Sequence, residues 1–130
     1  VDRKTGKVKV LKVTAAHDIG KAINKEMVEG QIFGGIVQGM GMALIEDIIM
    51  VDGHIQQTNL NKYKIPKATD MPDMQAIIVE NPDPTSPTGA KGIGEPALEI
   101  TAPAIANAVY NATGYRSYSM PIKVPVDKEL

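Results

Sequence analysis

An α+β fold is the class this sequence predicts, on three observations. Residues 7–17, KVKVLKVTAAH, alternate Lys with Val or Leu, the period-2 pattern of a strand with one wet face. A Pro-free stretch from Lys25 to Asp47 places Ile32, Phe33, Ile36, Val37, Met40, Ala43 and Leu44 on one side at 100° per residue, as a helix would. Between two short apolar runs, Asp52-Gly53 is a strong hairpin signal. The architecture expected is a long glycine-faced helix and a C-terminal helix packed on a small, mostly antiparallel sheet.

The elements follow in order. After the strand, Asp18 to Asn24 reads as a loop in which Gly20 is free to take a positive φ, and Asn24 suits the N-cap of the long helix. Opposite the apolar residues of that helix lie Gly30, Gln31, Gly34, Gly35, Gln38, Gly39 and Gly41. Each glycine costs a helix about 1 kcal/mol relative to Ala. A face that accepts several such costs needs something to approach the backbone closely, either another helix or sheet or a ligand lying along it. Ile48–Val51 and His54–Thr58 flank the hairpin turn, residues 59–70 are loop-like, and Gln75–Glu80 is a short strand. Residues 81–88 carry Pro82, Pro84 and Pro87, and GAKGIGEP (89–96) is a glycine-rich turn. Pro96 opens a second helix, Pro103 is expected to kink or restart it, and Gly114 closes it.

Composition narrows the function. The chain has 130 residues, one domain's worth, with 43% hydrophobic and 22% charged residues. Lys plus Arg is 14 and Asp plus Glu is 15, a net charge of −1, which argues against nucleic acid or an acidic membrane as partner. There is no cysteine, hence no disulfide, no thiolate zinc site and no iron–sulfur cluster held by this chain. The two histidines, His17 and His54, are far apart, and no residue is assigned as a metal ligand. No apolar run reaches the ~18 residues of a membrane span, and no secretory signal pattern occurs, which proves little in a chain that starts at Val1; a cytoplasmic setting is the expectation. Starting at Val1 in a charged, strand-like stretch, the chain reads as a piece of a longer protein.

Three strings invite chemistry. GMGMAL (39–44) has the spacing of a nucleotide-binding GxGxxA, but it falls late in a helix rather than between strand and helix. A nucleotide-binding reading would require nucleotide-dependent thermal stabilisation. In GAKGIGEP, Gly92 and Gly94 let the backbone approach a ligand, Lys91 brings a positive charge, and Glu95 sits at the mouth of a helix. A carboxylate there is either helix-dipole complementation, worth ~0.3–1 kcal/mol, or a general base presented from a loop. His17-Asp18 is either a base and its orienter or a turn in which Asp18 bonds local backbone N–H groups, and no Ser or Cys nucleophile lies beside it.

The series HDIGKAIN (17–24), EGQIFGGIVQGMGMALIED (29–47), YKIPKATDMP (63–72), GAKGIGEP (89–96) and NATGYR (111–116) resembles the C-terminal part of the molybdenum-binding subunit of the xanthine dehydrogenase and aldehyde oxidase family. The resemblance runs over nearly the whole chain, in order, with Lys25 where the family usually has proline. It implies a subdomain of the molybdopterin-binding fold, the C-terminal piece of a larger subunit over residues 1–130. The implied activity is oxidation of a purine, an aldehyde or an N-heterocycle at an electron-poor carbon with water-derived oxygen. The implied cofactor is molybdopterin, or its cytosine dinucleotide form, whose dithiolene rather than the protein holds molybdenum. Iron–sulfur clusters and FAD are implied on other domains or subunits. Glu95 matches the family's catalytic general base, Gln31 a glutamine that hydrogen-bonds the pterin, and Gly92 and Gly94 the loop that carries the glutamate, while Gln38 is assigned either to packing or to supporting the residues that touch the cofactor. The isolated chain is expected to be inactive and to expose an apolar patch that favours self-association. The competing reading is a free-standing α+β module that binds partners and does no chemistry.

Overall fold

The computed structural model describes residues 1–126. In chain order it contains β1 (Lys12–Asp18), α1 (Lys25–Leu44), β2 (Met50–Val51), β3 (His54–Ile55), a single 3-10 turn (Ala68–Asp70), β4 (Asp73–Val79) and α2 (Pro96–Thr113). None of its helices is long and apolar enough to cross a membrane.

β1 is shorter than the alternating pattern predicts. Alternate burial does begin earlier, with Val8 and Val10 packed against the core, but the ladder starts at Lys12 because only from there does the chain have a partner. That partner is β4, and the pairing is parallel, from Lys12 opposite Asp73 to Asp18 opposite Val79. The main sheet is therefore not antiparallel as expected. α1 carries the chain back across the inner face, so β4 enters beside β1 in the same direction, as a parallel pair requires. Among the described residues, antiparallel pairing is confined to β2 and β3, where Asp52 (φ 49°) and Gly53 (φ 79°) form the hairpin turn, and to one bridge between Gly20 and Ala90.

The inner face of the β1–β4 pair offers Val13, Ala15, Met74 and Ala76 to Ile32 and Ile36 of α1 and Ala97 of α2. A second cluster joins Met40 and Ala43 to Ala102, Ile105 and Val109, closed by Ile122. The outer face leaves Ile77 and Val79 half-exposed, and the hairpin leaves Ile48, Ile49, Met50, Val51 and Ile55 exposed.

Helix ends follow local chemistry. Asn24 Oδ1 accepts from Met27 N at 3.1 Å, the expected N-cap. α1 stops at Leu44, three residues early, because the N–H groups of both Ile45 and Glu46 turn back to Gly41 O at 2.8 Å. Glu46 then accepts from Tyr63 Oη, tying residues 63–66 beneath the helix end. In α2, Pro96 occupies the first turn and Gly114 the αL cap at φ 75°. Pro103 neither ends nor restarts α2. It sits on the exposed side, as does Glu99, whose carbonyl loses its helical partner to the proline's missing N–H.

Candidate active site

The glycine face of α1 divides in two. A Cβ on Gly35 would lie 2.7 Å from Ala97 Cβ and 2.9 Å from Leu98 N, and one on Gly39 would lie 2.7 Å from Thr101 Cβ. These two residues are bare because α2 lies against them, the close-packing alternative. Gly41 is similarly confined by Glu46 and Pro66. Gly30 and Gly34 meet nothing within 4 Å. They share the exposed side of the helix with Gln31 and Gln38.

On that side the glycine-rich turn docks. Gln31 Nε2 donates to Gly94 O at 2.9 Å, joining two predicted site residues that lie far apart in sequence. Glu95 follows at the N-cap of α2 with helical backbone angles (φ −112°, ψ −26°). Its carbonyl accepts from Leu98 N and Glu99 N, while its carboxylate makes no capping hydrogen bond. Among the described residues that carboxylate has no hydrogen bond and no ion pair, and it is exposed. The side chain therefore does not cap the helix by a hydrogen bond, while its place at the N-terminus of α2 remains one where a carboxylate complements the helix dipole.

Gly92 and Gly94 do not have positive φ, and a Cβ on either meets only open space. The tight bend belongs instead to Gly89 (φ 76°) and its neighbour Gly20 (φ 64°), whose Cβ would fall 2.2 Å from Gly89 O. The N–H groups of Gly92, Ile93, Gly94 and Glu95 donate to no acceptor among the described residues. Among the described residues, four glycines with open space around them, four N–H groups without an acceptor and the unused Oε1 of Gln31 thus belong to the two segments that meet at the Gln31–Gly94 hydrogen bond. Beside it lies a groove of about 460 Å³ lined by Ile19, Lys21, Met27, Gln31, Lys91 and Ile93.

The turn is held from β1. Lys91 N donates to Ile19 O at 2.9 Å, Lys21 N to Gly89 O at 2.9 Å, and Lys91 Nζ to Asp18 Oδ2 at 2.6 Å. Asp18 Oδ1 accepts from Gly20 N at 3.0 Å, so the turn reading of His17-Asp18 holds and the carboxylate serves Lys91 rather than His17. The Lys91 ammonium, and then the Gly20 N–H, hold the Asp18 carboxyl below its ordinary value. His17 is buried with Nε2 unpartnered. Glu80 accepts from Ala22 N at 2.9 Å and pairs with Lys25 at 3.1 Å, fixing the loop that leads into α1. Gln38 is exposed and hydrogen-bonds nothing among the described residues, so of its two expected roles packing is not the one it has within this chain. Sequence reasoning missed the Asp18–Lys91 pair; both residues stood inside recognised motifs, but nothing in their spacing joins them.

A model of the molybdopterin cofactor-binding domain matches residues 1–72, more than half of the chain and including Gln31. This chain belongs to that family. Membership is reinforced by curated relatives that are molybdenum-binding subunits of the xanthine dehydrogenase and aldehyde oxidoreductase type. The aldehyde oxidoreductase molybdenum-binding subunit PaoC of Escherichia coli (strain K12) is 38% identical over 91% of this chain and 16% of its own. The aldehyde oxidoreductase of Megalodesulfovibrio gigas is 39% identical over 93% of this chain and 13% of its own. Among solved structures, quinoline 2-oxidoreductase from Pseudomonas putida 86 superposes with a TM-score of 0.87 at 36% identity, over 94% of this chain and 16% of that one. The chain thus spans about a sixth or less of the length of the relatives it matches.

Proposed function

We propose that this chain is the part of a molybdenum hydroxylase that supplies the general base, Glu95, and one wall of the cofactor site, from Gln31, Gly92 and Gly94. The observation that carries the reading is the Gln31–Gly94 hydrogen bond, which sets an unpartnered carboxylate beside a row of free amides. The surface fits an acceptor-rich cofactor: bare glycines leave room that a Cβ would take, and the free N–H groups need acceptors. When bound, molybdopterin with its molybdenum would supply the two-electron oxidant for hydroxylation of an electron-poor carbon.

The chain's own residues do the rest. Gln31 spends its N–H₂ group on the turn and keeps its carbonyl oxygen as an acceptor for the pterin edge. Gly92 and Gly94 present backbone donors, with no side chain in the way. Glu95, held at the helix mouth with no protein partner to occupy its oxygens, is free to take a proton from the attacking water-derived oxygen. Substrates of the purine, aldehyde or N-heterocycle class fit this chemistry. Partners of such an enzyme would be the remainder of the molybdenum-binding subunit, which would cover the exposed hairpin, and cytoplasmic iron–sulfur and flavin units. The non-catalytic alternative is not favoured, since the relatives are named as oxidoreductases.

The test is Glu95→Gln in the complete enzyme. Losing a positioned base should lower turnover on the order of 10²–10⁴-fold, with molybdenum and pterin content retained. Wild-type turnover would remove Glu95 from the chemistry.

A further inference from the structure

Glu95 stands between two sets of anchors. On its C-terminal side, α2 is locked against α1 where Gly35 and Gly39 admit Ala97 and Thr101. On its N-terminal side Ile93 packs against the core, but Gly92 and Gly94 on either side of it are not confined by a neighbour and leave the backbone free to pivot. The position of the glutamate therefore depends also on what holds the turn from outside. Gln31 holds it at Gly94. Lys91 holds it at the other end, through its own N–H to Ile19 O and through its ammonium to Asp18.

Asp18 is built to receive that ammonium. It is the last residue of β1, paired in register with Val79, and one carboxylate oxygen is already fixed by Gly20 N. The other oxygen points to Lys91 at 2.6 Å. The neighbouring charges are otherwise disposed: Glu80 is taken by Ala22 N and Lys25, and Asp83 is bonded to Thr85, with the Lys91 charge acting on it only at longer range. The Asp18 and Lys91 side chains are 39% and 32% exposed. A pair that open adds little to stability, so its worth lies in where it places the chain.

We propose that the Asp18–Lys91 ion pair positions Glu95: it clasps the glycine-rich turn to the end of β1 and keeps the Lys91 ammonium on Asp18, away from the base further along the same turn. The proposal rests on the general-base reading of Glu95. Asp18 and Lys91 act through the loop and are positioning residues. Losing the clasp frees the Gly92–Gly94 span to move and releases a cation able to pair with the base.

The experiment compares Lys91→Met, Asp18→Asn and Lys91→Arg in the complete enzyme, with Glu95→Gln as reference. Lys91→Met and Asp18→Asn are expected to lower kcat about tenfold, inside the ~10²-fold that a 1 Å misplacement can cost. KM, molybdenum content and the unfolding midpoint should stay at wild-type values. Lys91→Arg should restore kcat to within about twofold, since the ion pair re-forms. In the cofactor-free protein, exchange of the Gly89 and Lys91 amides, which are hydrogen-bonded to Ser86 O and Ile19 O, should quicken in Lys91→Met and Asp18→Asn and not in Lys91→Arg. Unchanged kcat and unchanged exchange in Lys91→Met would overturn the clasp, as would a kcat loss accompanied by loss of molybdenum. If Glu95→Gln abolishes turnover while Lys91→Met does nothing, the clasp alone falls. If Glu95→Gln keeps turnover, the general-base reading falls with it.

Discussion

Gly35 and Gly39 on one side of α1, and Gly30 and Gly34 on the other, are the same residue type in one helix with opposite surroundings. The first pair is bare because a second helix presses on it; the second pair is bare with nothing near it. Packing explains the first pair completely. The second carries the same intrinsic cost in the helix with no return inside this chain. It lies on the exposed side with Gln31, the residue that reaches the Glu95 turn. One helix thus serves the fold with one side and, on the proposed reading, the site with the other.

Substitution separates the two sides. Gly35→Ala should destabilise the protein by about 1–3 kcal/mol, because the new methyl meets Ala97 Cβ and the Leu98 backbone, neither of which can swing away. Thermal unfolding reads this as a drop of several degrees. Gly34→Ala should raise stability by about 0.5–1 kcal/mol, since a helix-favouring residue enters open space. Equal shifts of one sign in both variants would break the distinction.

The smallest expected effect is electrostatic. Asp18, Glu80 and Asp83 are all held below their ordinary values, Asp18 by Lys91, Glu80 first by Ala22 N–H and Asp83 first by Thr85. A carboxyl depressed in the folded state adds stability that is present above its unfolded value and lost as pH falls through the folded one. For Asp18 the unfolded value is near 3.8. Stability should therefore be flat above about pH 5 and fall on acidification below pH 4, and Asp18→Asn should shallow that limb. An acid limb steepened in Asp18→Asn would contradict a depressed Asp18 carboxyl, whereas so open a pair should shallow it only slightly.

Much of the fold was legible because its signals are local. Asn24, Asp52-Gly53, Pro96 and Gly114 each act within a turn of chain, and each does what its chemistry dictates. The parallel pairing of β1 with β4 was not legible, because direction depends on how α1 returns the chain and not on either strand's own pattern. Pro103 misled for a related reason: whether a proline breaks a helix depends on which side of the helix it and the residue with the orphaned carbonyl lie. Of the proposed site residues, Glu95, Gln31, Gly92 and Gly94 were all named from motifs and the resemblance they carry, and the structure joins Gln31 to Gly94, next to Glu95 in the chain. The division of the glycines and the Asp18–Lys91 pair depend on which distant segments meet, and no spacing in the chain encodes that.

The separation of fold from site is tested most directly by Gln31→Ala in the complete enzyme, measuring molybdopterin content and the unfolding midpoint together. The account predicts a several-fold fall in cofactor content with stability within about 1 kcal/mol of wild type, the scale of one exposed hydrogen bond. Full cofactor content with a midpoint lowered as far as in Gly35→Ala would contradict it, and would make Gln31 a strut of the fold.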